Sequence, residues 1–309
     1  MPLITFTPSR LDFRMHDFLR MSWASEVARD VWLERFRSVV KMCAALEWLS
    51  VSAGVRRCCV LTCSVARATR ETHVWRAHAL HTLSLADLDS GPGQPTGTLV
   101  GSSRPVLVGR RSDIAAFEEA WRTLDRDAVA RMLGVPACCN IASFRRSRDN
   151  SCHDPVWSIA ADTVTPAGPS VDLAGTYSVN VLWRRLKMHL IPQWPCTFNC
   201  PSSQDLGDRY CQVARDGGYT LEIDWLRQIL TWPAEWSALH GIAEMKTPVV
   251  KIVMNTDATR EKLIIRWNGD SYPVEGIHGL VFPYQLSDKS ARVREHHARV
   301  GRVISLKPT

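Results

Sequence analysis

Two pairs of cysteines carry the strongest chemical signal in this sequence of 309 residues. Cys138 and Cys139 are adjacent, whereas Cys196 and Cys200 lie four apart, about 60 positions further along the chain. Thiolate sulfur binds zinc and iron, and cysteines that converge from two segments are a common source of such ligands. The two pairs therefore predict a metal site.

The segment LGVPACCNIASF (133–144) predicts that the first pair lies at the start of a helix. Gly134 is typical of the position after a helix end, and Pro136 suits the first turn of the next helix. The positive end of that helix and its free backbone N–H groups would favour thiolate over thiol at Cys138 and Cys139. The alternative is a pair of small residues that pack at a tight turn.

The second pair lies in a proline-rich segment, HLIPQWPCTFNCPSS (189–203). Cys196 and Cys200 would share a face of a helical turn, and they can also converge on a compact loop. Alone this spacing is weak evidence of a site, but the pair upstream strengthens it. The prolines that stiffen the segment are Pro192, Pro195 and Pro201.

Neighbouring side chains diverge, so we expect only one of Cys138 and Cys139 to bind the metal, together with Cys196 and Cys200. Three thiolates on a 4Fe-4S cluster leave one iron open to a substrate, which is a catalytic layout. A fourth ligand would instead complete a closed structural site, holding either zinc or a cluster. We predict an iron–sulfur cluster, with zinc as the alternative. The candidates for a fourth ligand are Cys152, Cys211 and His189.

Three further polar residues are candidates for catalysis. His153 and Asp154 lie together in SCHDPVW, where the histidine would carry protons near the metal. The alternative there is a polar turn in which Asp154 caps the next helix. His240 and Glu244 are predicted to share one helical face, either as an acid–base pair or as a structural pair.

The three N-terminal cysteines of CCVLTCSVA are interpreted differently. Cys58, Cys59 and Cys63 lie in an apolar run that is typical of a strand, and a strand directs Cys58 to one face and the other two to the opposite face. Thiols buried in apolar surroundings have raised pKa values and are inert. We therefore predict that these three are structural.

The overall composition is that of an ordinary globular protein. The chain is 45% hydrophobic and 22% charged, and no apolar run reaches the length of a transmembrane helix. The N-terminal residues lack the basic cluster, apolar core and cleavage site of a signal peptide. We therefore expect a cytoplasmic protein in which the ten cysteines are packed thiols, ligands or reactive groups rather than disulfides.

The chain carries a net charge of +7, with its 38 lysines and arginines spread along the sequence. Such a surface can attract nucleic acid or an anionic substrate. None of the familiar nucleic-acid motifs is present, so nucleic acid is the less favoured partner. The sequence also lacks a phosphate-binding glycine loop, a GxSxG elbow and the CxxxCxxC run of radical-SAM enzymes. Kinase, dehydrogenase and serine-hydrolase functions are therefore without support.

Hydrophobic periodicity predicts an α+β fold of mixed helices and short antiparallel strands around the cysteine site, in two lobes. The predicted helices are 24–50, 113–133, 176–190, 202–215 and, with a break at Pro233, 221–244. The predicted strands are 58–66, 72–85, 247–257 and 262–269, of which the last two can pair. The predicted domains are an N-terminal lobe (1–104), a metal-site domain (105–290) and a basic C-terminal tail (291–309).

The order of three motifs resembles that of an uncharacterised prokaryotic family. LGxPxCC, DPxW and PCxxxC follow one another within roughly residues 105–285. Members often carry a histidine close before the PC, whereas His189 here precedes Cys196 by seven residues. The resemblance implies no reaction. The site residues that it implies are Cys138, Cys139, Cys196 and Cys200.

We therefore predict a metalloenzyme, dependent on an iron–sulfur cluster, that acts on a small molecule or peptide in a biosynthetic pathway. The open iron would polarise the substrate, and His153 or His240 would move protons. The alternative is a non-catalytic, zinc-stabilised module that binds RNA or a protein partner through its basic surface. Colour separates the two, because a cluster protein is brown and a zinc protein is colourless.

Overall fold

The computed structural model describes residues 18–85, 103–148, 154–256 and 261–273, and it has the predicted α+β fold. The predicted tail (291–309) lies outside these residues. The helices are α1 (Glu26–Ser52), α2 (Val65–Ala77), α3 (Arg111–Arg122), α4 (Arg126–Met132), α5 (Ala137–Arg148), α6 (Pro155–Thr163), α7 (Pro201–Asp216) and α8 (Thr220–Leu230). The strands are β1 (Leu19–Trp23), β2 (Cys58–Ser64), β3 (His81–Ser84), β4 (Ser103–Gly109), β5 (Ser170–Leu173), β6 (Ala234–Leu239), β7 (Ile242–Lys246), β8 (Val250–Asn255) and β9 (Leu263–Trp267).

Six strands form the larger sheet, in the order β1-β8-β7-β6-β9-β5. Neighbours are antiparallel except β5 and β9, which run parallel. Side chains alternate along each strand, so that Ala234, Trp236 and Ala238 of β6 face the core. The other face carries ion pairs such as Lys246 with Glu244, whose charged atoms are 2.9 Å apart. One dry face and one wet face are typical of antiparallel sheets.

The dry face packs against α1, α6, α7 and α8 in one large core. Aromatic rings fill its centre: the Trp32 ring of α1 meets that of Trp232 edge to face, with centroids 4.5 Å apart. Phe36 packs in the same way against Trp183, at 5.9 Å. The N-terminal helix therefore shares its core with the C-terminal half of the chain.

The predicted helix at 24–50 is confirmed as α1. Ser25 begins it, because the Ser25 side chain accepts a hydrogen bond from the backbone N–H of Ala28. Gly54, with a φ of 73°, lies just beyond its end, and glycine adopts the left-handed conformation that ends a helix at little energetic cost.

Three strands form the smaller sheet, in the order β2-β4-β3, and helices cover both of its faces. Cys59 and Leu61 of β2 face a cluster that includes Trp75 of α2. Cys58 faces the opposite cluster with Phe117 of α3. The predicted strand at 58–66 and the opposite orientations of Cys58 and Cys59 are thus confirmed.

Helix α3 and helix α4 replace the single helix predicted at 113–133. Leu124 adopts a left-handed conformation with a φ of 57°, which ends α3. Asp125 then accepts a hydrogen bond from the N–H of Ala128 and begins α4. Gly134, with a φ of 74°, follows α4 as predicted, and α5 starts three residues later.

The strand predicted at 72–85 is wrong for most of its length. Residues 65–77 form α2, and only His81–Ser84 forms a strand. Ser64 caps α2 through the N–H of Arg67, and Arg67 pairs with Glu71 one turn later at 2.7 Å. These local helical interactions outweigh a short alternation of apolar and polar residues.

The helix predicted at 176–190 is also wrong, because the chain forms two short 3₁₀ turns there, Tyr177–Val179 and Arg184–Leu186. Asn180 lies between them and is buried. Its side chain donates to Leu230 O at 2.8 Å and accepts from the N–H of Leu182 at 3.1 Å. These bonds satisfy a buried backbone that is not helical.

The predicted helix at 221–244 is confirmed only in its first half, as α8. Beyond Pro233 the chain forms the hairpin of β6 and β7, because the alternating burial of this segment fits a strand and not a helix. His240 and Gly241 turn the hairpin with φ values of 50° and 81°. His240 therefore does not share a helical face with Glu244.

Strands β8 and β9 were correctly predicted but do not pair, since β7 and β6 lie between them. The predicted domain boundary at residue 104 falls inside β4, and the division into domains stays a prediction. None of the described helices combines the length and the apolar character needed to cross a bilayer.

Candidate metal centre

The two cysteine pairs meet at one point of the fold. Sulfur atoms of Cys138, Cys139, Cys196 and Cys200 all lie within 4.8 Å of one another. Cys138 and Cys200 are 3.6 Å apart, Cys139 and Cys200 are 3.7 Å apart, and the adjacent pair is 3.9 Å apart. Among the described residues this sulfur cluster has four members, so a metal ion bound there would be held by cysteine alone.

Both adjacent cysteines reach the sulfur cluster, so their side chains do not diverge as we expected, and the expectation that only one of them binds the metal stays a prediction. They occupy the first turn of α5, where side chains lean towards the N-terminal end of the helix. No earlier turn of α5 occupies that space, so both sulfurs can approach Cys200, at 3.6 and 3.7 Å. Cys139 is buried and Cys138 is exposed, so the two differ in environment though not in reach.

Two helix N-termini point at the same sulfurs. Cys138 and Cys139 begin α5, and Cys200 is the N-cap residue of α7, followed by Pro201 at the first helical position. The partial positive charge of each helix end stabilises thiolate. Gly134 and Pro136 therefore mark the helix start that carries Cys138 and Cys139, as predicted, and Pro201 marks the helix start at Cys200.

Hydrogen bonds from neighbouring groups support the sulfur of Cys139. The backbone N–H of Cys196 donates to Cys139 Sγ at 3.3 Å, which ties the two cysteine segments together. Ser203 of α7 places its hydroxyl 3.2 Å from the same sulfur. Gln193 in turn donates from Nε2 to Ser203 Oγ at 3.2 Å.

Two arginines hold the loop that carries Cys196. Arg146 of α5 donates to the carbonyls of Pro195 at 3.1 Å and Cys196 at 2.6 Å. Arg184 donates to the carbonyls of Ile191 at 3.1 Å, Gln193 at 3.3 Å and Pro192. With both guanidinium groups engaged in this way, the loop has a fixed shape before any ligand arrives.

The thiols of the sulfur cluster differ in acidity. Burial raises the pKa of Cys139. Burial and the neighbouring Cys200 thiol together raise the pKa of Cys196 to about 11. Burial opposes ionisation of Cys200 too, but hydrogen bonds from Ser203, Cys196 and Cys138 together outweigh it and lower the pKa of Cys200 to about 7. Cys200 is therefore more acidic than Cys139 and Cys196.

His189, which we named as a candidate ligand, is not part of the sulfur cluster within the described chain. Its Nδ1 lies 3.0 Å from the carbonyl of Ile191, and its own carbonyl accepts from Cys43 Sγ at 3.5 Å. Burial, and then the charge of Arg184, lower the pKa of His189 to about 4. It is therefore a neutral, partly buried structural side chain beside the loop.

Two of the three residues predicted to be catalytic, Asp154 and His240, are not part of the sulfur cluster. Asp154 is buried, caps α6 through the N–H of Val156 and bonds Thr256. Its capping interpretation is confirmed. His240 is exposed in the β6–β7 turn. His153 and Cys152 lie outside the described residues.

The remaining described cysteines are packed thiols. Cys43 and Cys211 lie in the large core, and the sulfur of Cys211 is 3.7 Å from the hydroxyl of Tyr177. Burial raises the pKa of Cys58 and that of Cys59 to about 12 each, as predicted for inert thiols.

Sequence reasoning missed the groups that surround the sulfurs, namely Arg146, Gln193 and Ser203. Arginine, glutamine and serine are common on surfaces, so nothing in their type marks them. A useful signal was the position of Ser203, one helical turn after Cys200, on a helix predicted to start near a cysteine ligand.

No protein-family model, no curated protein and no solved structure matches this chain. What the chain does must therefore be argued from its own geometry.

Proposed function

We propose that the four cysteines hold one zinc ion and that this ion is a structural cross-link between α5 and the start of α7. The observation that carries the proposal is the spacing of the sulfurs. In a tetrahedral site with Zn–S bonds of about 2.3 Å, neighbouring sulfurs are about 3.8 Å apart. The sulfurs of Cys138, Cys139 and Cys200 are 3.6, 3.7 and 3.9 Å apart, which brackets that value, and the sulfur of Cys196 lies within 4.8 Å of all three.

The same distances favour a single ion over the 4Fe-4S cluster predicted from the sequence. In a four-iron cluster each thiolate binds a different iron, so that the ligand sulfurs stand much farther apart than they do around one ion. A cluster would require the two segments to separate. Since Arg146 and the N–H of Cys196 hold these segments together, such a separation has a cost.

A site with four cysteine ligands is closed, which supports a structural role. Catalytic zinc sites keep a position for water or substrate, whereas four thiolates fill the tetrahedron. Zinc with four thiolates carries a net charge of −2, which the two helix N-termini oppose. The metal would also close a loop of about 60 residues, which lowers the entropy of the unfolded chain.

Metal analysis tests the proposal directly. We expect colourless protein with about one zinc per chain after purification without chelator. Cobalt exchanged into the site should give the intense visible bands of tetrahedral thiolate coordination. Cys196→Ser and Cys200→Ser should each lose the metal and the cobalt bands.

Cys211→Ser is the matched control, because Cys211 is a buried cysteine of α7 outside the sulfur cluster. It should retain zinc. Brown protein with iron and acid-labile sulfide would overturn the proposal in favour of the cluster, and iron without sulfide would replace zinc by a single iron. Protein that holds no metal after anaerobic reconstitution would leave only packed thiols.

A further inference from the structure

A cavity of about 490 Å³ opens beside the metal centre, between α3, α4, α5 and the segment before Cys196. Cys139 forms part of its wall. Small-molecule sites in proteins have volumes of about 300 to 1,000 Å³ and are mostly apolar with a few polar groups. The size of this cavity therefore suits one small ligand.

The walls of the cavity are apolar and preformed. Trp121 and Trp194 face it together with small aliphatic side chains of α4. The Trp121 ring stacks on Phe117 with centroids 5.8 Å apart and planes 17° apart, and Arg184 lies 4.8 Å above the Trp194 ring. Since Phe117 and Arg184 hold the two indoles in place, a flat ring can pack against them with little reordering of the protein.

The positively charged side chain of Arg126 lies at the margin of the cavity. Arg126 lines it, is exposed, and forms no ion pair with another described residue. Its guanidinium rests 5.6 Å from the Phe144 ring, which directs the side chain along the α4–α5 edge.

The carboxylates next to Arg126 in sequence are engaged elsewhere. Asp125 accepts from the N–H of Ala128 at 2.9 Å, and Asp127 accepts from Asn140 Nδ2 at 2.7 Å. A ligand anion can therefore approach Arg126 without displacing an existing ion pair.

The inner end of the cavity holds an amide with an unused acceptor. Gln193 is buried and lines the cavity, and its Oε1 has no hydrogen-bond partner among the described residues. The other end of the amide is engaged, because Gln193 Nε2 donates to Ser203 Oγ at 3.2 Å. This network leaves Oε1 free, and an unpaired buried acceptor is costly unless a bound group satisfies it.

We propose that this cavity binds a flat aromatic small molecule that carries an acidic group, with its rings between Trp121 and Trp194 and its anion at Arg126. A ring N–H or hydroxyl of the ligand would donate to the Gln193 amide after a small rotation of that side chain. The site does not depend on which metal the cysteines hold, so it goes beyond the proposed function.

Two fluorescent dyes test the ligand class with the metal-loaded full chain. 1-Anilinonaphthalene-8-sulfonate has two aromatic units, an N–H and a sulfonate, whereas N-phenyl-1-naphthylamine lacks only the sulfonate. Both should bind saturably with about one dye per chain. Arg126→Gln should weaken the sulfonate dye about fivefold and leave the neutral dye within about twofold.

A pair of serines on α5 provides a matched blocking experiment. Ser143 is exposed and lines the cavity, whereas Ser147 is exposed one turn later and does not line it. Ser143→Trp should weaken both dyes about tenfold or more, and Ser147→Trp should leave both unchanged within about twofold. Val129→Trp, on the α4 wall, is a second blocking variant should Ser143→Trp fold poorly by circular dichroism.

Three results would overturn the proposal. Equal dye binding by the parent and both blocking variants would place the dyes elsewhere on the protein. Equal losses in Ser143→Trp and Ser147→Trp would show general adhesion to α5 and not a cavity. If Arg126→Gln lost both dyes, Arg126 would not recognise the sulfonate specifically, and the ligand would need no acidic group.

Discussion

At the scale of single residues, Cys138 and Cys139 differ in burial but lie at nearly the same distance from Cys200 in the sulfur cluster. Cys138 is exposed and Cys139 is fully buried, yet each lies less than 4 Å from Cys200. Removing either one leaves three thiolates, which is too few for a closed tetrahedral site.

The first prediction is that Cys138→Ser and Cys139→Ser both lose most of the bound metal. Cys139→Ser should also lower the free energy of unfolding further, by about 1 kcal/mol or more, since it places a hydroxyl in a buried site. Metal per chain and denaturant unfolding are the measurements. A variant at either position that binds metal like the parent would show that three cysteines suffice.

The second prediction concerns Cys58, Cys59 and Cys63. Their replacement by alanine should leave metal per chain unchanged, because they lie in β2 and not in the sulfur cluster. Each should cost on the order of 1 kcal/mol of stability through lost packing. Metal analysis of the triple variant beside the parent is the check, and a drop by a whole metal equivalent would reveal a second site.

At the scale of secondary-structure elements, a buried arginine joins α1 to the rest of the core. Arg56 donates from Nε to Ser50 Oγ at 2.9 Å and to the Glu47 carbonyl at 2.6 Å, and it forms an ion pair with the Glu47 carboxylate. Its guanidinium also lies 5.8 Å from the Tyr210 ring of α7. One side chain thus fixes the end of α1 against α7.

The third prediction is that Arg56→Met destabilises the protein by roughly 3 kcal/mol, because it leaves the Glu47 carboxylate without its ion-pair partner. Adding Glu47→Gln should recover part of that loss. The exposed pair of Arg37 and Glu34 on α1 is the control, and Arg37→Met should cost less than about 1 kcal/mol. Denaturant unfolding gives the free energy of unfolding of the parent and the three variants. Equal losses of stability in Arg56→Met and Arg37→Met would contradict the role of Arg56 in joining α1 to α7.

Some elements were predictable from local signals and others were not. Helix α1 follows from a long apolar stripe and a serine cap, and the start of α7 follows from Pro201. The turn at His240 was missed, since a histidine with positive φ has no signature in sequence. The two helix ends of the metal centre were predicted, but the convergence of four sulfurs depends on packing between distant segments.

At the scale of the whole molecule, burial of a titratable group makes stability depend on pH. His189 has a pKa of about 4 in the folded protein, because burial and the charge of Arg184 oppose its protonation. In the unfolded chain its pKa is about 6.5. Between these values the unfolded state binds more protons, so that stability falls as the pH falls.

The fourth prediction is that the free energy of unfolding decreases between about pH 6.5 and pH 4, with a contribution from His189 of up to roughly 3 kcal/mol. His189→Gln should reduce this slope. His73→Gln, at an exposed position of α2, should leave it unchanged. Denaturant unfolding at several pH values compares the three proteins, and an unaltered slope in His189→Gln would assign the effect to other groups, such as Glu47.

The pairing of β1 with β8 has a consequence for how the chain folds as it is synthesised. The backbone N–H of Phe18 donates to the side chain of Asn255, 237 positions away, and strands β6 to β9 of this sheet all come from the last third of the chain. A ribosome therefore finishes α1 long before the strands that cover its apolar face exist. Until they emerge, the nascent chain exposes that face, and contacts so distant in sequence form slowly. This protein should therefore depend on chaperones that shield apolar segments during translation more than a chain with local contacts does.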